Sequence, residues 1–148
     1  MSNLQNIALV RKLYEEFYSK NNPSIADQFF TVDVKMNDPA TPNIKGLAQV
    51  RETEIMYRKA FPNKTLKINE IFGTEDRVAV YWTAEGVQKG NLQGISPTGK
   101  NCTVTGISIF RITNGKISEI IQNWERLSLL EQLGVVEPLE ALHPQANR

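Results

Sequence analysis

Residues 101–126 read NCTVTGISIFRITNGKISEIIQNWER and contain the pattern that decides the fold. Apolar and polar side chains alternate with a period of two through residues 102–110, which is typical of a β-strand with one buried face. Asn114-Gly115 follows, and this pair favours the positive φ angles of a tight type I′ turn. A second strand is predicted from Ile117 to about Arg126. We therefore expect an antiparallel hairpin that carries Ser108 and Gln122 on the same face.

The rest of the chain adds helices before this hairpin and more strands beside it. Helical spacing of apolar residues predicts helices over residues 3–21, 23–30 and 46–60, with a short strand at 31–36 between the second and the third. Alternation predicts further strands over residues 66–71 and 78–85, and a short closing helix over 127–133. Helices followed by hairpin-linked strands indicate an α+β fold, with the helices on one face of a curved antiparallel sheet. Pockets commonly form in the space between such a sheet and its helices.

Composition excludes several classes of function. The 148 residues fit a single domain, and a formal net charge of +1 argues against a nucleic-acid or anionic membrane partner. Cys102 is the only cysteine and His143 the only histidine, so a disulfide, a Cys-based zinc site and a Ser–His–Asp triad are not expected. His143 lies in a polar tail and is expected to be solvated. Without a signal peptide or an apolar stretch of about 20 residues, a soluble cytoplasmic protein is expected.

Several motifs occur together in a recognisable order. Ala60-Phe61-Pro62 closes the third helix, and Asn37-Asp38-Pro39-Ala40 ends the first strand. Downstream stand the segments EDRVAVYW (75–82), GISPTGK (94–100), FRI with NGKI (110–117) and LLEQLG (129–134). In this order and spacing the sequence resembles the SnoaL-like polyketide cyclase family, also called predicted ester cyclases, of the nuclear-transport-factor-two-like superfamily. The resemblance covers about residues 4–135 of a single domain spanning 1–148, which leaves 136–148 as a tail.

This resemblance implies a structure and a chemistry. The implied fold is a cone-shaped α+β barrel, in which a curved antiparallel sheet packs on three N-terminal helices. The family also implies a homodimer formed through the sheet, and a deep pocket that uses no metal or organic cofactor. Its characterised cyclases close a polyketide methyl ester by an intramolecular aldol reaction, in which an acidic side chain on the last long strand removes a proton next to a carbonyl.

The chain departs from the family at both positions that carry this chemistry. An ungapped match places Gln122 at the position of the acidic base and Ser108 at that of an assisting histidine. An amide cannot accept a proton at neutral pH, and it can only orient a group or donate a hydrogen bond. We therefore expect no aldol cyclisation. Gln122 and Ser108 remain candidates for ligand contact, or for local hydrogen bonds that face the pocket.

Two carboxylates remain as candidate catalytic groups. Asp38 follows Asn37, which matches a family position at the pocket mouth, although a short polar residue before Pro39 also suits an ordinary turn. Glu54 lies on an apolar helix face, where loss of solvent would raise its pKa and suit it to acid–base work. The alternative for Glu54 is that it lies at the edge of the apolar face and either extends to water or forms an ion pair with Arg51 or Arg58.

Three further residues are candidates for ligand binding. Asn37 matches a family position at the pocket mouth, while Tyr14 and Trp82 are expected in the pocket wall or, alternatively, in the plain core. We expect the pocket to be lined by some of Tyr14, Phe17, Met36, Trp82, Val104, Ser108, Ile120 and Gln122. On the opposite face, Ile107, Ile109 and Ile121 form an apolar set that predicts cover by a second subunit.

Two functions remain open at this point. The first is a small-molecule-binding protein that performs cofactor-free cyclase, isomerase or hydratase chemistry on an apolar, carbonyl-bearing ligand. The second is a non-catalytic ligand-binding or interaction module on the same fold.

Overall fold

The computed structural model describes residues 2–138. Three of its four α-helices precede residue 61, and its four longest strands follow that residue. The α-helices are α1 Asn3–Lys12, α2 Ala26–Phe29, α3 Leu47–Ala60 and α4 Arg126–Gln132. The strands are β1 Phe30–Asn37, β2 Ile44–Lys45, β3 Thr65–Gly73, β4 Arg77–Val87, β5 Asn101–Thr113 and β6 Lys116–Trp124. A π-helical turn spans Leu13–Tyr18, and a 3₁₀ turn spans Pro23–Ile25. His143 and the other residues from 139 onward lie outside the described part of the chain.

The first helix begins at a capping box and changes pitch before it ends. Ser2 and Gln5 exchange side-chain to backbone hydrogen bonds at its start, as their spacing predicts. From Leu13 the backbone widens into a single π-helical turn, a feature that is frequent at functional sites. Tyr14 and Tyr18 both belong to this turn, and their rings meet edge to face with centroids 5.2 Å apart.

The six strands form one open, curved sheet in the order β2-β1-β6-β5-β4-β3. Strands β3 to β6 are joined in sequence by antiparallel pairing, as the alternation predicts. The expectation of a wholly antiparallel sheet needs one correction, because β1 pairs in parallel with β6. Residues 38–115 lie between these two strands in sequence, so their pairing depends on long-range packing rather than on a turn. The sheet does not close into a complete barrel.

Strand register confirms the predicted division into an inner and an outer face. Ser108 lies opposite Val80 on β4 and opposite Gln122 on β6. Phe110 and Ile120 are completely buried on the inner face of the sheet. On the other parity Ile107, Ile109 and Ile121 are 56%, 39% and 40% exposed. The concave face therefore meets the helices, and the convex face carries an apolar surface.

Helix α3 presents one face to the concave side of the sheet. Val50, Glu54, Tyr57 and Phe61 recur at intervals of three or four residues, which places them on one side of the helix.

Among residues 2–138, no helix is both long enough and apolar enough to cross a membrane.

Candidate active site

A cavity of about 140 Å³ lies between the concave sheet face, the π-helical turn and α3. Its wall is mainly aromatic and aliphatic, with a few polar and charged side chains among them. Phe61, Leu66, Val104, Cys102 and Leu129 supply part of the apolar wall. Most of the remaining wall consists of the residues described below, namely Tyr14, Tyr18, Met36, Asp38, Glu54, Tyr57, Lys64, Trp82, Glu85, Gln122 and Trp124.

Asp38 follows the last residue of β1 and holds its carboxylate at the cavity wall with only 4% of the residue exposed. Its Oδ1 accepts a hydrogen bond from the backbone N–H of Ala40 at 2.8 Å. Its Oδ2 accepts from Gln122 Nε2 at 2.7 Å and from Trp124 Nε1 at 3.2 Å. Within residues 2–138, no lysine or arginine nitrogen forms an ion pair with it. The carboxylate is therefore oriented by neutral donors only.

Gln122 connects Asp38 to a polar chain that crosses three strands. Trp82 Nε1 donates to Ser108 Oγ at 2.9 Å, and Ser108 Oγ donates to Gln122 Oε1 at 3.0 Å. The Gln122 amide thus turns its oxygen toward a hydroxyl and its nitrogen toward the carboxylate. This orientation satisfies both ends of a side chain that the cavity partly buries. Gln122 is accordingly a positioning residue for Asp38.

Gly106 leaves the space that the Trp82 indole occupies against β5. It pairs with Trp82 on one side and with Trp124 on the other. A Cβ atom at position 106 would lie 2.3 Å from the Trp82 ring and 2.7 Å from Trp124 Cβ. Any side chain here would collide with the Trp82 ring and with Trp124 Cβ, so the packing of Trp82 against β5 requires glycine at this position.

Three tyrosines bring phenol groups to the cavity. Burial raises the pKa of Tyr14 and that of Tyr18 well above the ordinary value, and a contact with Ser108 partly opposes the shift at Tyr14. Burial, together with the negative charge of Asp38, raises the pKa of Tyr57 to about 12. All three phenols therefore stay protonated near neutral pH and act as hydrogen-bond donors.

A buried ionic cluster closes the cavity on the side of α3. Lys64 forms an ion pair with Glu54, and Arg58 Nη2 lies 3.9 Å from the same Glu54 oxygen. Both cations also donate at 2.8 Å to the backbone oxygen of Tyr18, at the end of the π-helical turn. Burial raises the pKa of Glu54 and lowers that of Lys64, whereas their mutual attraction opposes both shifts. The cluster ties α3 to α1 and to the start of β3.

Comparison with known proteins assigns the family. The family model of the SnoaL-like polyketide cyclases matches residues 8–133, which is most of the chain. The chain belongs to the SnoaL-like polyketide cyclase family. No curated protein matches this SnoaL-like chain at a significant level.

Solved structures confirm the SnoaL-like fold. A proposed SnoaL-like polyketide cyclase from Jannaschia sp. CCS1 is 18% identical and has a TM-score of 0.83 over 90% of this chain and 94% of that one. AclR, a proposed hydroxylase from Streptomyces galilaeus, is 23% identical, with a TM-score of 0.84 over 99% of this chain and 92% of its own. IdmH, a proposed polyketide cyclase from Streptomyces antibioticus, is 23% identical, with a TM-score of 0.74 over 86% of this chain and 96% of its own. At these identities the likeness establishes the fold alone.

Most of the predicted site residues of this SnoaL-like chain meet at the cavity. Those that line it are Tyr14, Met36, Asp38, Glu54, Trp82, Val104 and Gln122. Ser108 lies behind the wall at 1% exposure, and Phe17 and Ile120 are fully buried in the core. Asn37 is exposed outside the cavity and donates to Glu119 Oε2 at 3.4 Å.

Sequence reasoning did not single out several residues of the SnoaL-like cavity wall, among them Tyr18, Tyr57, Lys64 and Trp124. Trp124 lies two residues after Gln122 on the same face of the strand, and Tyr57 lies on the same helix face as Glu54. Both positions could therefore have been predicted from the spacing. Tyr18 follows Tyr14 by four residues and therefore shares its helix face, so its position could also have been predicted from spacing. Lys64 lies in a turn after α3, and its partnership with Glu54 depends on tertiary packing.

Proposed function

We propose that this SnoaL-like protein binds a small, largely apolar carbonyl compound in the cavity and moves a proton at the carbon next to the carbonyl, with Asp38 as the base. The observation that supports this proposal is the placement of Asp38. Its carboxylate is buried at the wall of a mainly apolar cavity and is oriented by Gln122 and Trp124 without a cationic partner among the described residues. A base held in this way keeps its acceptor oxygens directed at one place in the cavity.

Glu54 is the weaker candidate for the base. Its ion pair with Lys64 and its proximity to Arg58 would both have to be disturbed before it could accept a proton. Gln122 and Ser108 take the positions at which the family implies an acid and a histidine, yet here they form the chain that orients Asp38. The polar residues of the hairpin therefore support a base supplied by the end of β1.

The reaction class follows from the groups at the site. Asp38 removes a proton from the carbon next to a carbonyl, and the electron pair moves onto the carbonyl oxygen to give an enolate. Delivery of a solvent-derived proton to the same carbon gives exchange, and delivery of a proton to another carbon isomerises the compound. Neither outcome needs an oxidant, a reductant or a second substrate.

A non-catalytic binding module is the second candidate, and one observation favours it. Both Asp38 oxygens already accept hydrogen bonds, and the chain from Trp82 to Asp38 is complete without any bound molecule. Such a saturated network suits a rigid pocket wall as well as it suits a base.

The two candidates are distinguished by measuring binding and proton exchange on the same sample. The chain contains two tryptophans, and both line the cavity, so their indole N–H signals in a nitrogen-15 correlation spectrum report occupancy. We expect 2-tetralone, a two-ring ketone with acidic C–H bonds beside the carbonyl, to shift both signals in a saturable way. In deuterium oxide we also expect the protein to accelerate loss of those C–H signals above the rate in buffer. Shifts without acceleration would favour the binding module, and the absence of both would contradict the proposed function.

We further infer that the convex sheet face is covered by a second copy of the chain. Ile107, Ile109 and Ile121 are adjacent on β5 and β6, and each is more than one third exposed. An exposed apolar set on a sheet face is unfavourable in water unless it is covered.

Size-exclusion chromatography with light scattering is expected to give the mass of a dimer at micromolar concentration. Ile107→Lys is expected to shift the mass toward that of a monomer, whereas Asn63→Lys, at an exposed turn residue away from this face, is expected to leave it unchanged. A monomeric wild type would contradict the inference.

A further inference from the structure

The hydroxyl group of Tyr57 lacks a hydrogen-bond partner inside the protein. Its oxygen is buried, and no donor or acceptor among residues 2–138 reaches it, although the residue itself lines the cavity. Buried polar groups in folded proteins are nearly always paired, so each exception needs an explanation. A ligand acceptor on the cavity side is one group that would satisfy it.

Tyr57 packs against Trp124, one of the residues that donate a hydrogen bond to Asp38. Its ring meets the Trp124 indole edge to face, with centroids 6.1 Å apart, and the same indole donates to Asp38 Oδ2. Tyr57 and Asp38 line the same cavity, and the charge of Asp38 contributes to the raised pKa of Tyr57.

We infer that the Tyr57 hydroxyl donates the hydrogen bond that holds the ligand's carbonyl oxygen while Asp38 takes the proton from the adjacent carbon. This inference rests on the proposed function. It narrows the ligand class to ketones and esters that have an acidic C–H bond on the carbon next to the carbonyl group, whose oxygen Tyr57 holds. As the C–H bond breaks, the electron pair forms the enolate C=C bond, and negative charge collects on the oxygen. The Tyr57 O–H remains intact and stabilises that charge, and Asp38 holds the proton until it is replaced by one from solvent or returned to carbon.

A donor placed where charge develops contributes more to the rate than to binding. Loss of one such donor lowers turnover by about 10²–10³-fold in enzymes that stabilise an oxyanion. Loss of an ordinary hydrogen bond in the ground state changes affinity by only about 2- to 12-fold. Tyr57→Phe keeps the ring and its contact with Trp124 and removes only the oxygen. The variant is therefore expected to bind 2-tetralone a few-fold more weakly and to exchange its protons about 10²-fold more slowly.

A ligand that lacks the oxygen separates this role from one in packing. Tetralin has the same ring skeleton as 2-tetralone without the carbonyl, so its affinity, measured from the indole N–H shifts, is expected to be equal for wild type and Tyr57→Phe. Tyr81→Phe removes a hydroxyl on the exposed convex face and serves as the matched control, with both affinities and the exchange rate unchanged. Only a donor to the carbonyl predicts loss for the ketone together with no loss for the hydrocarbon.

The possible outcomes separate the inference from the proposed function. Equal weakening for tetralin and 2-tetralone would show that Tyr57 only shapes the cavity, and would overturn the inference. Exchange and ketone affinity at wild-type levels in Tyr57→Phe would also overturn it, while leaving Asp38 as the proposed base. If wild type neither binds nor exchanges 2-tetralone, both the proposed function and this inference fail.

Discussion

Glu54→Gln is expected to lower the free energy of unfolding by about 3–5 kcal/mol, because it leaves two buried cations without their carboxylate. Glu54 and Lys64 are 7% and 8% exposed, and Arg58 is also 8% exposed. The substitution keeps the shape of the side chain, so it introduces no cavity. For a domain of this size the loss corresponds to a fall in Tm of roughly 10 °C. Urea unfolding followed by circular dichroism measures it directly.

Two further variants test the cause of this loss. Glu52→Gln, at an exposed position on the same helix, is expected to change stability by no more than about 0.5 kcal/mol. In Glu54→Gln the Lys64 ammonium stays buried without its carboxylate partner. Combining Glu54→Gln with Lys64→Met removes that charge, so the double variant is expected to recover part of the lost stability. Stability within about 1 kcal/mol of wild type for Glu54→Gln alone would show that the cluster does not hold α3 against the π-helical turn.

The sheet was the part of the fold that local sequence patterns predicted best. Strands β4 to β6 follow from alternation and from the Asn114-Gly115 turn, because each depends on neighbours that are close in sequence. The same alternation assigned Ser108 and Gln122 to one face, and the register confirms it. The third helix was also predicted to within a residue, since apolar spacing and Phe61-Pro62 mark its extent.

Features that depend on distant parts of the chain could not be predicted in this way. The parallel pairing of β1 with β6 joins residues more than 80 positions apart, such as Met36 and Ile120. No local pattern encodes this pairing, although it is what brings Asp38 to Gln122. The ion pair between Glu54 and Lys64 depends in the same way on how the turn after α3 folds back. The candidate base was therefore predicted from its motif, and its orienting partners were not.

The geometry explains why Ser108 and Gln122 can stand where the family implies a histidine and an acid. With an amide at position 122, the last strand presents a donor to Asp38 in place of a second negative charge. Two carboxylates at these positions would repel each other across a hydrogen-bonding distance, whereas Gln122 Nε2 approaches Asp38 Oδ2 to 2.7 Å. Ser108 then fixes the amide from the other side. The changes at 108 and 122 thus suit a site whose one candidate base is at position 38.

Asp38→Asn is accordingly expected to reduce the protein-catalysed exchange of 2-tetralone protons by about 10²–10⁴-fold, which is the usual contribution of a general base. Asparagine has nearly the same shape and cannot accept the proton, but its amide nitrogen replaces one of the two oxygens that accept from Ala40, Gln122 and Trp124, so the ketone's affinity is expected to fall only a few-fold. The Trp82 and Trp124 indole N–H signals measure that affinity in the same samples. Asp33→Asn, at an exposed position on β1, is the matched control, and its exchange rate is expected to equal that of wild type.

The comparison of rate with affinity decides what Asp38 does. Reduced exchange with intact binding is the pattern expected when a base is lost from a preserved pocket. Loss of affinity and of the indole signals together would show that Asp38 mainly holds Gln122 and Trp124 in place, as a structural residue of a binding module. Exchange at the wild-type rate would remove Asp38 as the base. Proton transfer would then have to pass through Glu54, the remaining buried carboxylate of the described cavity wall, at the cost of its ion pair with Lys64.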